Sequence, residues 1–274
     1  MQFVKTHGAM IPALGFGVFR MSGPEVQTIV PAALEAGFRH FDTAQIYENE
    51  APLGQALKAS GLPRAELFLT TKVWVANYSA DRFAASVDES LEKLGVDQVD
   101  LLLAHWPGDQ VPVAQQIDWL NEVQAAGKTR HIGVSNYNRS QLRTATKASA
   151  APILTNQIEI HPWLDQSEMA ALARETGTSL TAYFGMADGA VPKDPLFAGI
   201  GARYGKTAAQ VGLRWLVQQG FVALSKTASP ARVTENFDIF DFALTGSEMA
   251  AISGLARADG RIVSPAGLAP DWTA

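Results

Sequence analysis

The 274-residue chain has no cysteine, which removes disulfides, thiolate nucleophiles, iron–sulfur clusters and cysteine-ligated zinc together. A reducing compartment suits such a chain. Charge is also scarce, at 18% of residues against a usual share of about 25%. The formal net charge is −5, which argues against sequence-independent nucleic-acid binding, because that role needs a basic face to neutralise phosphates. Any anion site must be local. No run of about 18 apolar residues offers a membrane span. The opening Met1-Gln2-Phe3-Val4-Lys5-Thr6-His7 lacks the apolar core of a secretory signal. A cytoplasmic protein with no membrane or nucleic-acid partner is expected. What is plentiful is hydrophobic side chain, 47% of the residues, enough for a packed core and too much for a disordered chain.

Short β-rich runs alternate with helical patterns from end to end. The candidate strands are Phe38–Asp42, Leu67–Lys72, Val99–His105, His131–Ser135, Ile153–Ile158, Ser179–Phe184, Phe221–Ser225 and Phe240–Leu244. Between them Val26, Ile29, Val30, Ala33 and Leu34 share one helical face, as do Phe83, Val87, Leu91 and Leu94. Gly37 and Gly95 follow these runs as helix-ending glycines. Thr207 with Gln210 has capping-box spacing, and Ser229-Pro230 reads as an N-cap followed by proline at the first helical position. Continuously apolar strands such as Leu101-Leu102-Leu103-Ala104 suit parallel strands covered by helices. Eight strands in strict alternation predict an α/β fold of the (β/α)8 TIM barrel type, one domain over residues 1–274, with a doubly wound sheet as the rival. Phe3–Lys5 and Met10–Ala13 around His7-Gly8 predict an N-terminal β-hairpin that plugs the barrel floor.

Barrel chemistry gathers at the C-terminal strand ends. The strand ending in Asp42-Thr43-Ala44 is followed by Tyr47, the next closes in Thr70-Thr71-Lys72 and the third in His105-Trp106. Taken singly, Asp42 could be an N-cap, Lys72 a solvated strand end and His105 a satisfied buried histidine. Together they make a catalytic set. A phenol of pKa about 10 donates poorly near neutrality unless its anion is stabilised. Lys72 can do that, Asp42 can keep the lysine charged, and His105 can hydrogen-bond a substrate oxygen. The set suits protonation of an oxyanion, with Tyr47 as general acid.

An anion site is expected at Ser225-Lys226-Thr227-Ala228-Ser229-Pro230-Ala231-Arg232, which follows the seventh candidate strand and opens a helix. Gly199-x-Gly201 with Gly205 is rejected as a dinucleotide loop, since the third glycine falls late and no strand precedes it. Ser135, Asn136, Asn156 and Gln157 close two strands with groups able to recognise a carboxamide, and Tyr183 could stack under a flat ring. Trp74, Trp106 and Trp272 are candidate walls of a substrate pocket, the last through a tail, Arg261–Ala274, expected to fold over the barrel mouth. His161 and Glu159 lack a third ligand, so no metal is expected.

These residues resemble the aldo-keto reductase family from Ile11 to Trp272. Asp42-Thr43-Ala44-x-x-Tyr47, Thr71-Lys72-Val73-Trp74 and Leu103-Ala104-His105-Trp106-Pro107 are similar to its catalytic segments. Gly133-Val134-Ser135-Asn136 and Asn156-Gln157-Ile158-Glu159 resemble its nicotinamide-carboxamide segments, and Tyr183 its ring-stacking tyrosine. Lys226-Thr227, Arg232 and Glu235-Asn236 resemble the contacts to an adenosine 2′-phosphate and adenine. The resemblance implies NADPH (NADP+ when oxidised) bound across the barrel mouth and reduction of aldehydes or ketones. Gln45-Ile46-Tyr47-x-Asn49-Glu50 and the tail motif Arg261-Ile262-Val263-x-Pro265-x-Gly267-Leu268-Ala269-Pro270-x-Trp272 are most similar to bacterial members that reduce diketo-sugar acids and methylglyoxal. One segment departs: the family usually carries Ser-Pro-Leu after the tyrosine, where this chain has Phe184-Gly185-Met186. A monomer acting on a small carbonyl substrate is expected. The competing readings are a barrel that binds the cofactor without turnover and a Schiff-base aldolase using Lys72.

Overall fold

The computed structural model describes residues 2–274. It begins with strands β1 (Phe3–Thr6) and β2 (Ala9–Pro12), paired antiparallel across His7-Gly8. Both turn residues have positive φ, 46° and 80°, the twist that a two-residue hairpin requires. Ala9 and Ile11 pack with Phe68, Leu101, Leu103, Leu154 and Val222 from the barrel interior. The hairpin therefore plugs one end of the barrel.

Eight parallel strands close on themselves among the described residues: β3 (Leu14–Gly17), β4 (His40–Asp42), β5 (Phe68–Val73), β6 (Val99–Ala104), β7 (Thr129–Ser135), β8 (Ile153–Glu159), β9 (Ser179–Tyr183) and β10 (Val222–Ser225), the last pairing with the first. Helices α1 (Gly23–Ala36), α2 (Glu50–Ala59), α3 (Phe83–Leu94), α4 (Val113–Ala125), α5 (Arg139–Ala148) and α6 (Ser167–Thr176) each link consecutive strands. Two, α7 (Pro195–Tyr204) and α8 (Ala208–Gln218), precede β10, and α9 (Pro230–Phe237) and α10 (Gly246–Ser253) follow it. None is long and apolar enough to cross a membrane among the described residues. The barrel is the expected one, but two strand assignments need correction. Phe240–Leu244 forms no strand; Phe240 packs on Phe237 and Phe242 on Tyr204, so its alternation serves the outer helices. The missing strand is Leu14-Gly15-Phe16-Gly17, whose glycines hide it. A Cβ on Gly15 would stand 2.8 Å from His40 Nδ1 and from Leu224, so close packing demands the glycine. Each strand number therefore moves up by one, and the Lys226 loop follows the eighth strand.

The helix ends follow their signals. Gly37 and Gly95 close α1 and α3 with φ of 112° and 67°, and Thr207 with Gln210 forms a reciprocal capping box on α8. Gly201 and Gly205 are structural: a Cβ on the first would lie 2.3 Å from the Lys206 carbonyl, and the second is the left-handed cap of α7.

His40 is buried in the barrel, with Nε2 3.1 Å from Thr70 Oγ1. Desolvation lowers its pKa to about 4. An unfolded chain binds that proton near pH 6.5, so between those values the unfolded state holds more protons and stability falls as pH drops. The span corresponds to roughly 3 kcal/mol, and His105, also pushed well down by burial, acts in the same direction. Urea midpoints should fall between about pH 7.5 and about pH 4.5, and His40→Gln should flatten part of that slope. Equal midpoints for the wild-type chain would contradict a neutral buried ring.

Candidate active site

A cavity of about 970 Å³ opens at the C-terminal ends of the strands. At its base the ladder sets Asp42 of β4 beside Thr70 of β5, and Lys72 lies two residues further on the same side of that strand. Lys72 is fully buried, and its Nζ donates to Asp42 Oδ1 at 2.6 Å, to the Thr43 carbonyl at 2.8 Å and to the Tyr47 hydroxyl at 3.4 Å. The ring of His105, just past β6, meets Tyr47 at 5.6 Å and Trp74 at 5.3 Å, edge to face in both cases. Asp42, Tyr47, Lys72 and His105 are thus brought together.

Burial governs their acid–base behaviour. It raises the Tyr47 pKa well above 10, aided by the Asp42 charge, so the resting group is a phenol. Burial also lowers the Lys72 pKa, and the Asp42 carboxylate opposes that shift. His105 is driven towards its neutral form by burial and by the Lys72 charge. Its Nδ1 is buried without a partner, which leaves Nε2 as the ring nitrogen open to a substrate oxygen. The second carboxylate oxygen of Asp42 accepts from Gln157 Nε2 at 2.8 Å.

Two side chains that carried no separate role in the sequence hold this arrangement. Gln45 accepts the Trp74 backbone N–H at 2.8 Å and donates to the Ser86 carbonyl at 3.0 Å, which fixes that tryptophan. Asn49 accepts from Thr43 Oγ1 and donates to the carbonyls of Val18 and Met21. It thereby shapes the loop after β3 that puts Phe19 and Arg20 on the cavity wall. These two lining residues were missed with the strand before them.

Ser135, Asn136, Gln157 and Tyr183 line the middle of the cavity. Asn136, left-handed at φ 63° as asparagine tolerates, donates to the His105 carbonyl and accepts from the Tyr183 hydroxyl at 2.5 Å. It fixes the Tyr183 ring. Lys226, Thr227, Arg232, Glu235 and Asn236 line the far end. Among the described residues neither Lys226 nor Arg232 enters an ion pair, while Glu235 and Asn236 are held by Thr207 and Ser225. Ser229 occupies the N-cap of α9 without a side-chain bond; its N–H donates to Thr227 Oγ1 instead. The divergent segment lies between these groups. Phe184, Ala187 and Asp188 all have positive φ, at about 1–3 kcal/mol each, so the wall there is strained.

The remaining wall is apolar: Trp74, Trp106, Phe19 and Ile46, with Ile262 and Leu268 from the tail. Trp272 is not part of it. Its ring stands 6.5 Å from Trp106 and under the Arg261 guanidinium at 3.7 Å. His161 pairs with Glu159 at 2.9 Å.

A model described as the aldo/keto reductase family matches residues 13–257. Methylglyoxal reductase DkgB of Yersinia pestis is 42% identical over 265 residues, which cover 96% of this chain and 99% of that protein. The crystal structure of a provisionally named 2,5-diketo-D-gluconic acid reductase B is 63% identical, with a TM-score of 0.98, over 100% of this chain and 98% of the other. The aldose reductase of Schistosoma japonicum is 30% identical, with a TM-score of 0.90, over 94% of each chain.

Proposed function

The chain belongs to the aldo/keto reductase family and is an oxidoreductase acting on carbonyl groups; from that premise we propose that it reduces small dicarbonyls such as methylglyoxal and keto-sugar acids such as 2,5-diketo-D-gluconate, using NADPH and with Tyr47 as general acid. The observation that carries this reading is Lys72, buried without exposure and shared between the Asp42 carboxylate and the Tyr47 hydroxyl at the base of the cavity.

The donor set fits a phosphorylated dinucleotide. Lys226, Thr227 and Arg232 would hold a 2′-phosphate, Glu235 and Asn236 the adenine, Ser135 and Gln157 the carboxamide, with Asn136 fixing Tyr183 against the ring. When bound, reduced nicotinamide supplies a hydride to the carbonyl carbon. The Tyr47 hydroxyl and His105 Nε2–H would hold the carbonyl oxygen, and the phenolic proton passes to that oxygen as negative charge develops there. The Lys72 ammonium then faces a phenolate. Asp42 holds that ammonium in place, and Gln157 occupies the other carboxylate oxygen. A lysine whose three N–H groups are all engaged has no lone pair for a Schiff base, which weighs against aldolase chemistry. The apolar walls leave orientation to a few polar groups, as small dicarbonyls require.

NADPH is favoured over NADH by Lys226 and Arg232 at the far end, which enter no ion pair among the described residues. Losing one charge-assisted contact costs about 1.5–3 kcal/mol, so Arg232→Ala should weaken NADPH roughly ten- to a hundredfold and leave NADH nearly unchanged. Equal losses for both cofactors would misplace the phosphate. The reading as a whole is tested by following absorbance loss of NADPH and of NADH over a panel of carbonyls. Carbonyl-dependent oxidation, faster with NADPH, is expected; binding without oxidation on every substrate would leave only the non-catalytic reading.

A further inference from the structure

Glu159, the last residue of β8, takes no part in the chemistry above, and it is wholly buried. A carboxylate in that position needs several donors. Four groups supply them: His161 Nε2 at 2.9 Å and the Ile262 N–H at 2.7 Å on one oxygen, the Val263 N–H at 3.0 Å and Arg261 Nη1 at 3.5 Å on the other. Three of the four come from the tail, with Ile262 103 residues further along the chain. The strand period explains the placement. Gln157, two residues earlier on the same side of β8, reaches Asp42, while Glu159, one step further out, meets the tail.

The tail has no helix or strand beyond α10, so its position depends on a few pins. Gly260 passes so close to the Trp163 carbonyl that a Cβ would lie 1.8 Å from that oxygen. Asn138, the N-cap of α5, donates to the Asp271 carbonyl at 2.8 Å. Between these two points Ile262, Val263, Ser264, Pro265 and Leu268 line the cavity, and Glu159 is the group that grips the backbone of the first two.

We propose that Glu159 is a specificity-determining positioning residue: its buried carboxylate clamps the backbone of Ile262 and Val263 and so sets the wall against which the distal part of the carbonyl substrate lies. This rests on the carbonyl-reductase reading. Glu159 touches neither reacting group, so its effect falls on substrate fit before chemistry. Glu159 is also the ladder partner of Tyr183. The clamp, however, is made by its side-chain oxygens, which accept from the tail and His161, whereas Tyr183 is fixed by Asn136. Cofactor affinity is therefore the control that separates a tail clamp from a disturbed Tyr183.

The test uses the full chain and Glu159→Gln, which keeps the shape but sets an NH2 group against a backbone N–H. Hydrogen exchange at the amides of residues 261–268 should accelerate at least about tenfold. KM for methylglyoxal and for a larger keto acid should rise by unequal factors, the larger roughly tenfold, while kcat stays within about threefold and NADPH affinity, read by fluorescence, within about twofold. Glu159→Asp, whose charge is drawn back by one methylene, should fall between the two and supplies the readout if the glutamine variant does not fold. Unchanged tail exchange, or faster exchange with an unchanged ranking of substrates, would overturn the proposal. So would equal losses of kcat, KM and cofactor affinity, which mark a general structural role. If the wild-type chain fails to oxidise NADPH with every carbonyl tried, the reductase reading fails, and the exchange arm still decides whether Glu159 holds the tail.

Discussion

Tyr47→Phe should lower turnover by about 10²–10⁴, the range for losing a general acid, while NADPH binds with nearly unchanged affinity. The ring survives the substitution, with its packing on Phe19 at 4.9 Å and on His105, so the cavity keeps its shape and only the transferable proton is lost. The split is informative because an effect on chemistry alone lowers kcat and kcat/KM together. Single-turnover rates and fluorescence titration of the variant measure the two halves separately. Near-normal turnover would move the acid to another residue, with His105 the next within reach.

Lys72→Met should cost both activity and stability. Asp42 is buried with two donors, Lys72 and Gln157; removing the ammonium leaves a desolvated charge with one neutral partner. Breaking a buried pair in this way costs about 3–5 kcal/mol, a fall in melting temperature on the order of 10 °C for a chain of this size. The double variant Asp42→Asn, Lys72→Met removes both charges and should recover much of the stability while turnover stays abolished. The two substitutions share one contact, so their costs are not additive. A single variant as stable as the wild-type chain would contradict a buried ion pair between Asp42 and Lys72.

The legible parts of the fold were those where one element settles its own pattern. Leu101–Ala104 is apolar throughout because helices cover it on one side and the barrel fills the other, and Gly37 or Thr207 marks a helix end through its own backbone. Leu14–Gly17 was illegible for a physical reason: its glycines are there for what His40 and Leu224 press against them, and those contacts lie 25 and more residues away. Phe240–Leu244 misled because alternation records burial on alternate sides, and phenylalanines lying on α7 and α9 produce it without a ladder. Asp42, Tyr47, Lys72 and His105 could be read together because strand ends converge in a barrel. Gln157 and Glu159 show the limit. Each has a polar partner that only closure of the barrel or return of the tail brings near, and Trp272 joins the tail's packing behind Trp106 for the same reason.

Hydride transfer to the carbonyl carbon is tested most directly with NADPH in which both C4 hydrogens of the nicotinamide are deuterium and methylglyoxal is the acceptor, followed by mass and NMR analysis of the product. Deuterium on the new carbinol carbon, formed by the wild-type chain and slowed by about 10²–10⁴ in Tyr47→Phe, is the expected result. Consumption of methylglyoxal without deuterium in the product, or an equal rate in the phenylalanine variant, would contradict a reductase that protonates its substrate from Tyr47.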